Sequence, residues 1–206
     1  MLRAERYLKI DVSADETRIV VSLTYGPAEA SRLLAEADQD QDGQVSRQEG
    51  DAFISRWTDA LAAELPIEID GTRVHAVWND RAFDPIGPIR ASSASVEAVA
   101  HLVMESGTHR ITLRDRMAIR GLDRTDVAIG ARDGARMVAS GFGTTPNSVV
   151  RELAFGPQRA GSILTAIVEV PSRGVAFNPW IAFGALTLAS AAGLWLFHRH
   201  HRRQIR

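Results

Sequence analysis

Four carboxylates fall within twelve residues in the stretch "DQDQDGQVSRQE", Asp38 to Glu49. Counted from Asp38, aspartates stand at positions 1, 3 and 5 (Asp38, Asp40, Asp42) and Glu49 stands at position 12. Gly43 at position 6 suits a sharp turn with positive φ, which costs glycine nothing. Gln44 at position 7 offers a backbone carbonyl, and Ser46 at position 9 offers a hydroxyl that acts directly or through water. A hard dication takes six to eight oxygen ligands at about 2.3–2.6 Å. Alternate aspartates on a tight loop aim three carboxylates inward, and a carboxylate at the end of the loop closes the shell with both oxygens.

Two helices must hold such a loop. "PAEASRLLAEA" opens with Pro27 at a first helical position and carries Leu33, Leu34 and Ala37 on one side. "SRQEGDAFISRWTDALAAEL" carries Phe53, Ile54, Trp57 and Leu61 at helical spacing. Ser46 and Glu49 also form a capping box, so the end of the loop is the start of the second helix. Residues 27–60 resemble the EF-hand family, and that resemblance implies Ca²⁺ bound by Asp38, Asp40, Asp42, Gln44, Ser46 and Glu49. EF-hands usually pair through loop position 8, and no second loop occurs here. Val45 must then pack on the rest of the domain, pair with another copy, or stay exposed. With only four methionines in the chain, a methionine-rich target groove is not expected, and a structural site is favoured over a switch.

The remainder of the body reads as strands. "YLKIDV" and "RIVVSLTY" alternate apolar and polar residues around the turn-forming "SADET". "IEIDGTRVHAVW" predicts a hairpin at Asp70-Gly71, and "DVAIGARDGARMVAS" predicts another at Asp133-Gly134. "SVEAVAHLVME", "HRITLRDRM" and "SILTAIVEV" complete about eight or nine strands. The expected fold is mainly β: an antiparallel β-sandwich with an EF-hand helix–loop–helix inserted at 27–64. His75, His101 and His109 lie on these strands, either as separate surface or core residues or as ligands of a transition metal if the fold brings them together. No nucleophile elbow, phosphate loop or catalytic carboxylate pair is present, so no enzyme is expected. The chain has no cysteine, which excludes disulfides and thiolate chemistry.

The C-terminal end is different in kind. Trp180 to Phe197, "WIAFGALTLASAAGLWLF", is 18 residues without a charge and reaches ~27 Å as a helix. A transmembrane helix is expected over 177–197, flanked by Trp180 and Trp195 near its ends. Ala185, Ala189 and Gly193 form a small-residue stripe that admits a helix of an integral membrane partner. Residues 198–206 hold four arginines and no acid, while the rest of the chain sums to −5. The same basic tail carries His198, His200 and His201, which suit a cytoplasmic face near anionic lipid or a metal-binding tract. Basic residues stay inside, which puts the tail in the cytoplasm and the body, residues 1–176, in the periplasm. That topology requires a signal that "MLRAERYLKIDVSADE" does not itself supply; the alternative is a cytosolic body whose anchor inserts tail-first against the rule.

Residues 5–90 are also similar in layout to the extracytoplasmic N-terminal region of bacterial nickel/cobalt transporter-like membrane proteins. Those proteins continue into several membrane helices, whereas this chain has one hydrophobic span, so transport is not implied. The expected function is a single-pass, membrane-anchored, calcium-binding accessory or structural subunit that docks on an integral membrane complex. The alternative is an extracytoplasmic protein handling Ni, Co or Zn. Near-neutral charge gives no basis for binding nucleic acid.

Overall fold

The computed structural model describes residues 3–90, 92–155 and 162–172. The described residues are mainly β, with two helices. The expected transmembrane helix at 177–197, the Ala185/Ala189/Gly193 stripe and the basic tail at 198–206 lie outside them. Among the described residues, no helix is long and apolar enough to cross a membrane.

The chain opens with β1 (Ala4–Val12) and β2 (Thr17–Tyr25), paired antiparallel as the alternation predicted. Helix α1 (Pro27–Ala37) follows, with Pro27 in its first turn and Ala30, Leu34 and Ala37 buried at intervals of four and three. The two-residue strand β3 (Gln44–Val45) leads into α2 (Arg47–Glu64). Phe53, Ile54, Thr58 and Leu61 form the buried side of α2. Pro66, which lacks the N–H a further turn needs, follows its C-terminal cap, Leu65. Next come β4 (Ile67–Ile69), β5 (Thr72–Val74), β6 (Trp78–Asp84) and β7 (Gly87–Pro88). Strands β8 (Ala94–Leu102), β9 (Gly107–Asp115), β10 (Leu122–Ala131), β11 (Arg136–Phe142), β12 (Glu152–Phe155) and β13 (Ser162–Val170) complete the fold.

Two main sheets share one apolar core. The first runs β12-β10-β1-β2-β8-β6 and the second β11-β13-β9-β4-β5, with β3 and β7 forming a separate two-stranded ribbon. Leu8, Ile10, Ile19 and Val21 from the first sheet and Ile111, Leu113, Ala166 and Val168 from the second belong to the same buried cluster. Leu34, Phe53 and Leu61 of the helices join it. One inward position on β1 is charged. Arg6 is fully buried, and its guanidinium meets Asp115 of β9 through two hydrogen bonds of 2.9 and 2.6 Å.

The pairing departs from the sequence expectation in three places. Strand β1 runs parallel to β10, so the first sheet is mixed rather than purely antiparallel. Asp70 and Gly71 do turn the chain at φ 52° and 80°, and β4 pairs β5 there, but β5 stops at Val74. The rest of the expected strand crosses to the other sheet and restarts as β6 beside β8. Asp133 and Gly134 also turn, at φ 52° and 86°, yet β10 and β11 lie in different sheets. A two-residue turn reverses the chain, but the apolar face of each strand selects its layer. Strand β10 buries alternate residues from Thr125 to Ile129, and β11 buries Ala139 to Gly141 from the other sheet.

Candidate metal centre

The loop begins where α1 ends. Asp38 caps the helix, with its N–H donating to the Leu34 carbonyl at 2.9 Å, and it is 8% exposed. Its carboxylate accepts from the N–H groups of Asp42 at 3.2 Å and Gly43 at 3.0 Å. Asp40 accepts from Asp42 N–H at 3.2 Å, and Asp42 accepts from Gln44 N–H at 2.8 Å. Gln41 at φ 61° and Gly43 at φ 82° bend the chain back so that these short acidic side chains share one side. No side-chain atom crowds Gly43, so it is the backbone angle that favours glycine there.

Ligand atoms of Asp38, Asp40 and Asp42 lie within 4.8 Å of one another, the one group of three metal-type side chains that do so among the described residues. Glu49 is not in that trio. One of its oxygens accepts from the N–H groups of Gln39 at 2.7 Å and Asp40 at 3.3 Å. The other accepts from the N–H and the hydroxyl of Ser46, each at 2.8 Å. Ser46 Oγ in turn accepts from Glu49 N–H at 3.2 Å, completing the reciprocal cap. Glu49 therefore ties the first residues of the loop to the first turn of α2.

Electrostatics differ between these carboxyls. The Ser46 N–H and hydroxyl, with the Gln39 N–H, hold Glu49 down at about 2. Asp40 moves the other way. The Asp42 N–H pulls it down, but partial desolvation and the charges of Asp42, Glu49 and Asp38 outweigh that bond and raise it. Crowded like charge opposes ionisation at this position, and a dication placed among the carboxylates reverses the sign of that effect.

No family model matches the chain, and no curated protein matches it.

Val45 is fully buried, and its backbone pairs with Gly87 while Gln44 pairs with Pro88. Ile89 N–H donates to the Gly43 carbonyl at 3.0 Å, extending the ribbon by one bond. The segment after β6 thus covers the side of the loop at Val45. Strand β6 and the residues just after it seat α2. Phe83 meets Phe53 with ring centroids 5.0 Å apart, and a Cβ on Gly50 would fall 2.5 Å from Ile86 Cδ1. Arg81 donates to Ser55 at 3.1 Å on the same helix. Gly87 and Pro88 were not legible as partners of the loop, because a two-residue ribbon leaves no periodicity. The punctuation in "FDPIGPI" was the one available signal.

His101 and His109 lie on strands as expected, His75 falls between β5 and β6, and the three form no three-ligand cluster among the described residues. His109 hydrogen-bonds Asp70 at 2.8 Å and the Glu105 carbonyl at 2.9 Å. His101 is held by two carboxylates. His75 lines a cavity of about 310 Å³ with Arg73, Leu65 and Ile67.

Proposed function

We propose that the chain is a calcium-binding protein in which loop 38–49 takes the ion with Asp38, Asp40, Asp42, Gln44, Ser46 and Glu49. The observation that carries this reading is the Asp38/Asp40/Asp42 trio on a loop whose backbone N–H groups already orient each carboxylate. The raised Asp40 adds to it, since a bound dication removes the repulsion between these groups. All the ligands are hard oxygens, which suits Ca²⁺ over Zn²⁺ or Ni²⁺.

The role of the ion is to brace. Glu49 stands at the base of α2, and Val45 ties the loop to Gly87, so an ion held by both halves of the loop locks α1, α2 and β7 into one unit. An extracytoplasmic domain needs only weak affinity, ~10⁻⁴–10⁻³ M, because calcium there is abundant. On this reading the protein is a non-enzymatic accessory subunit, held in the membrane by 177–197 with the body in the periplasm and the tail in the cytoplasm. It docks on an integral membrane complex through the Ala185/Ala189/Gly193 stripe. The sequence pattern supports this part of the reading.

Calcium titration of the full chain in detergent tests the site. Millimolar Ca²⁺, roughly one- to tenfold above a Kd of ~10⁻⁴–10⁻³ M, raises the melting temperature through a stabilisation of about 0.4–1.4 kcal/mol. Glu49→Gln weakens binding by at least about tenfold, since losing one carboxylate ligand costs roughly 1.4 kcal/mol or more. An unchanged melting temperature in millimolar Ca²⁺ refutes the reading. A response to Ni²⁺ or Zn²⁺ without one to Ca²⁺ favours the metal-handling alternative.

A further inference from the structure

On the first sheet, away from the loop, His101 has both ring nitrogens committed. Nδ1 lies 2.8 Å from Glu16 Oε2, and Nε2 lies 2.9 Å from Asp80 Oδ2. An ionised carboxylate oxygen can only accept. Both contacts are hydrogen bonds together only when both nitrogens carry a proton. In the neutral ring, one nitrogen turns a lone pair on a carboxylate.

The two carboxylates come from different places. Glu16 closes the β1–β2 turn, where its N–H and carbonyl bond Ser13. Asp80 sits on β6, an edge strand of its sheet, beside a register shift between Trp78 and Asp80 where the β6–β8 ladder is irregular. No backbone pairing joins β6 to the β1–β2 turn. The imidazole of β8 spans that gap.

We propose that His101 is a proton-operated latch. As the imidazolium it fastens the irregular start of β6 to the β1–β2 turn, and on losing its proton it releases that end of β6. The two carboxylates favour the cation, and the nearby arginines oppose it. Arg18 is the register partner of His101 on β2. Arg132, from the turn after β10, stands 3.9 Å from Glu16 but also pairs with Asp11 of β1 at 3.2 Å and with Asp133. Lys9 adds a second cation to Asp11 at 3.4 Å. Asp15 lies in the same turn as Glu16, and Glu97 shares the outward face of β8 with His101. Asp80 has no cation but the imidazolium within ion-pairing distance among the described residues.

The hydrogen bonds from Glu16 and Asp80 outweigh desolvation and raise His101 above the ordinary 6.5. A raised basic group gives its stabilisation in full below its unfolded value and loses it as the pH climbs through the folded one. The latch is therefore fully closed below the ordinary 6.5 and opens only as the pH climbs through the higher folded value.

The test is made on the full chain in detergent micelles. Histidine resonances, assigned through His101→Gln, follow the titration. Amide exchange at Asp80–Ala82, corrected for intrinsic rate, follows the strand about one pH unit below and about one above the measured His101 midpoint. His101 is expected to titrate above 6.5. Protection of these amides should be at least about threefold greater at the lower pH, a difference that His101→Gln abolishes. Asp80→Asn should lower the titration of His101, and it serves as the second variant should His101→Gln fold poorly. His109→Gln, on the other sheet, leaves the difference in place. A His101 titrating at or below 6.5 overturns the latch, as does pH-independent protection or a difference that persists in His101→Gln.

Discussion

Arg6 is the residue that departs furthest from the alternation of its strand. It occupies an inward position between Ala4 and Leu8 on β1, where an aliphatic side chain is expected. Asp115 makes it tolerable by offering both oxygens, and the pair links the two sheets through side chains alone. Guanidinium Nε still has no partner, so the charge is not fully repaid. Such a pair is costly to break because the survivor stays buried without its counter-ion. Asp115→Ala is expected to destabilise the protein by about 3–5 kcal/mol, whereas replacing both residues with leucine costs far less. Chemical denaturation of the two variants checks this. The closeness of Asp38, Asp40 and Asp42 and the Ser46–Glu49 cap were legible in the sequence because both depend on spacing of a few residues. The Arg6–Asp115 pair was not, since nothing local distinguishes a buried arginine from an exposed one.

At the scale of elements, α1 and α2 emerged with nearly the bounds their periodicity and caps predicted. The strand set was less complete. Long alternating strands such as β1, β2 and β13 were readable, while β3, β7 and β12 are too short to show a period. Turn residues marked where the chain reverses at Asp70 and Asp133 but not which sheet the next strand enters. The most consequential element is the run from β6 to β7, which joins the loop, the helix pair and the edge of the first sheet. Phe83 is its anchor, buried against Phe53. Phe83→Ala is expected to cost about 3–5 kcal/mol. On the proposed reading it also weakens calcium binding, because α2 and the Gly87 pairing lose a common support. Thermal melts with and without Ca²⁺ separate the two effects: loss of stability with unchanged affinity argues against that coupling.

For the whole molecule, composition and patterning correctly anticipated a mainly β body with two helices, and the departures lie in connectivity. Sheet order is set by which apolar faces meet across a shared core, a contest between distant segments that local sequence does not record. The proposed anchoring makes a simple demand. A chain ending at Ser172 should leave the membrane fraction under alkaline carbonate, while the full chain remains with it. Retention of both to the same degree would remove 177–197 as the anchor.

The parallel pairing of β1 with β10 also has a consequence in time. Arg3 and Asp123, joined beside that pairing, are 120 residues apart in the chain. At ~5–20 residues per second, synthesis leaves on the order of ten seconds between them. Through that interval a β1–β2 hairpin, if formed, has one flank of β1 bare, an open edge of unpaired amides and carbonyls. The nascent chain therefore passes through a state more adhesive than the finished protein, and its yield in a cell depends on what shields that flank until β10 arrives.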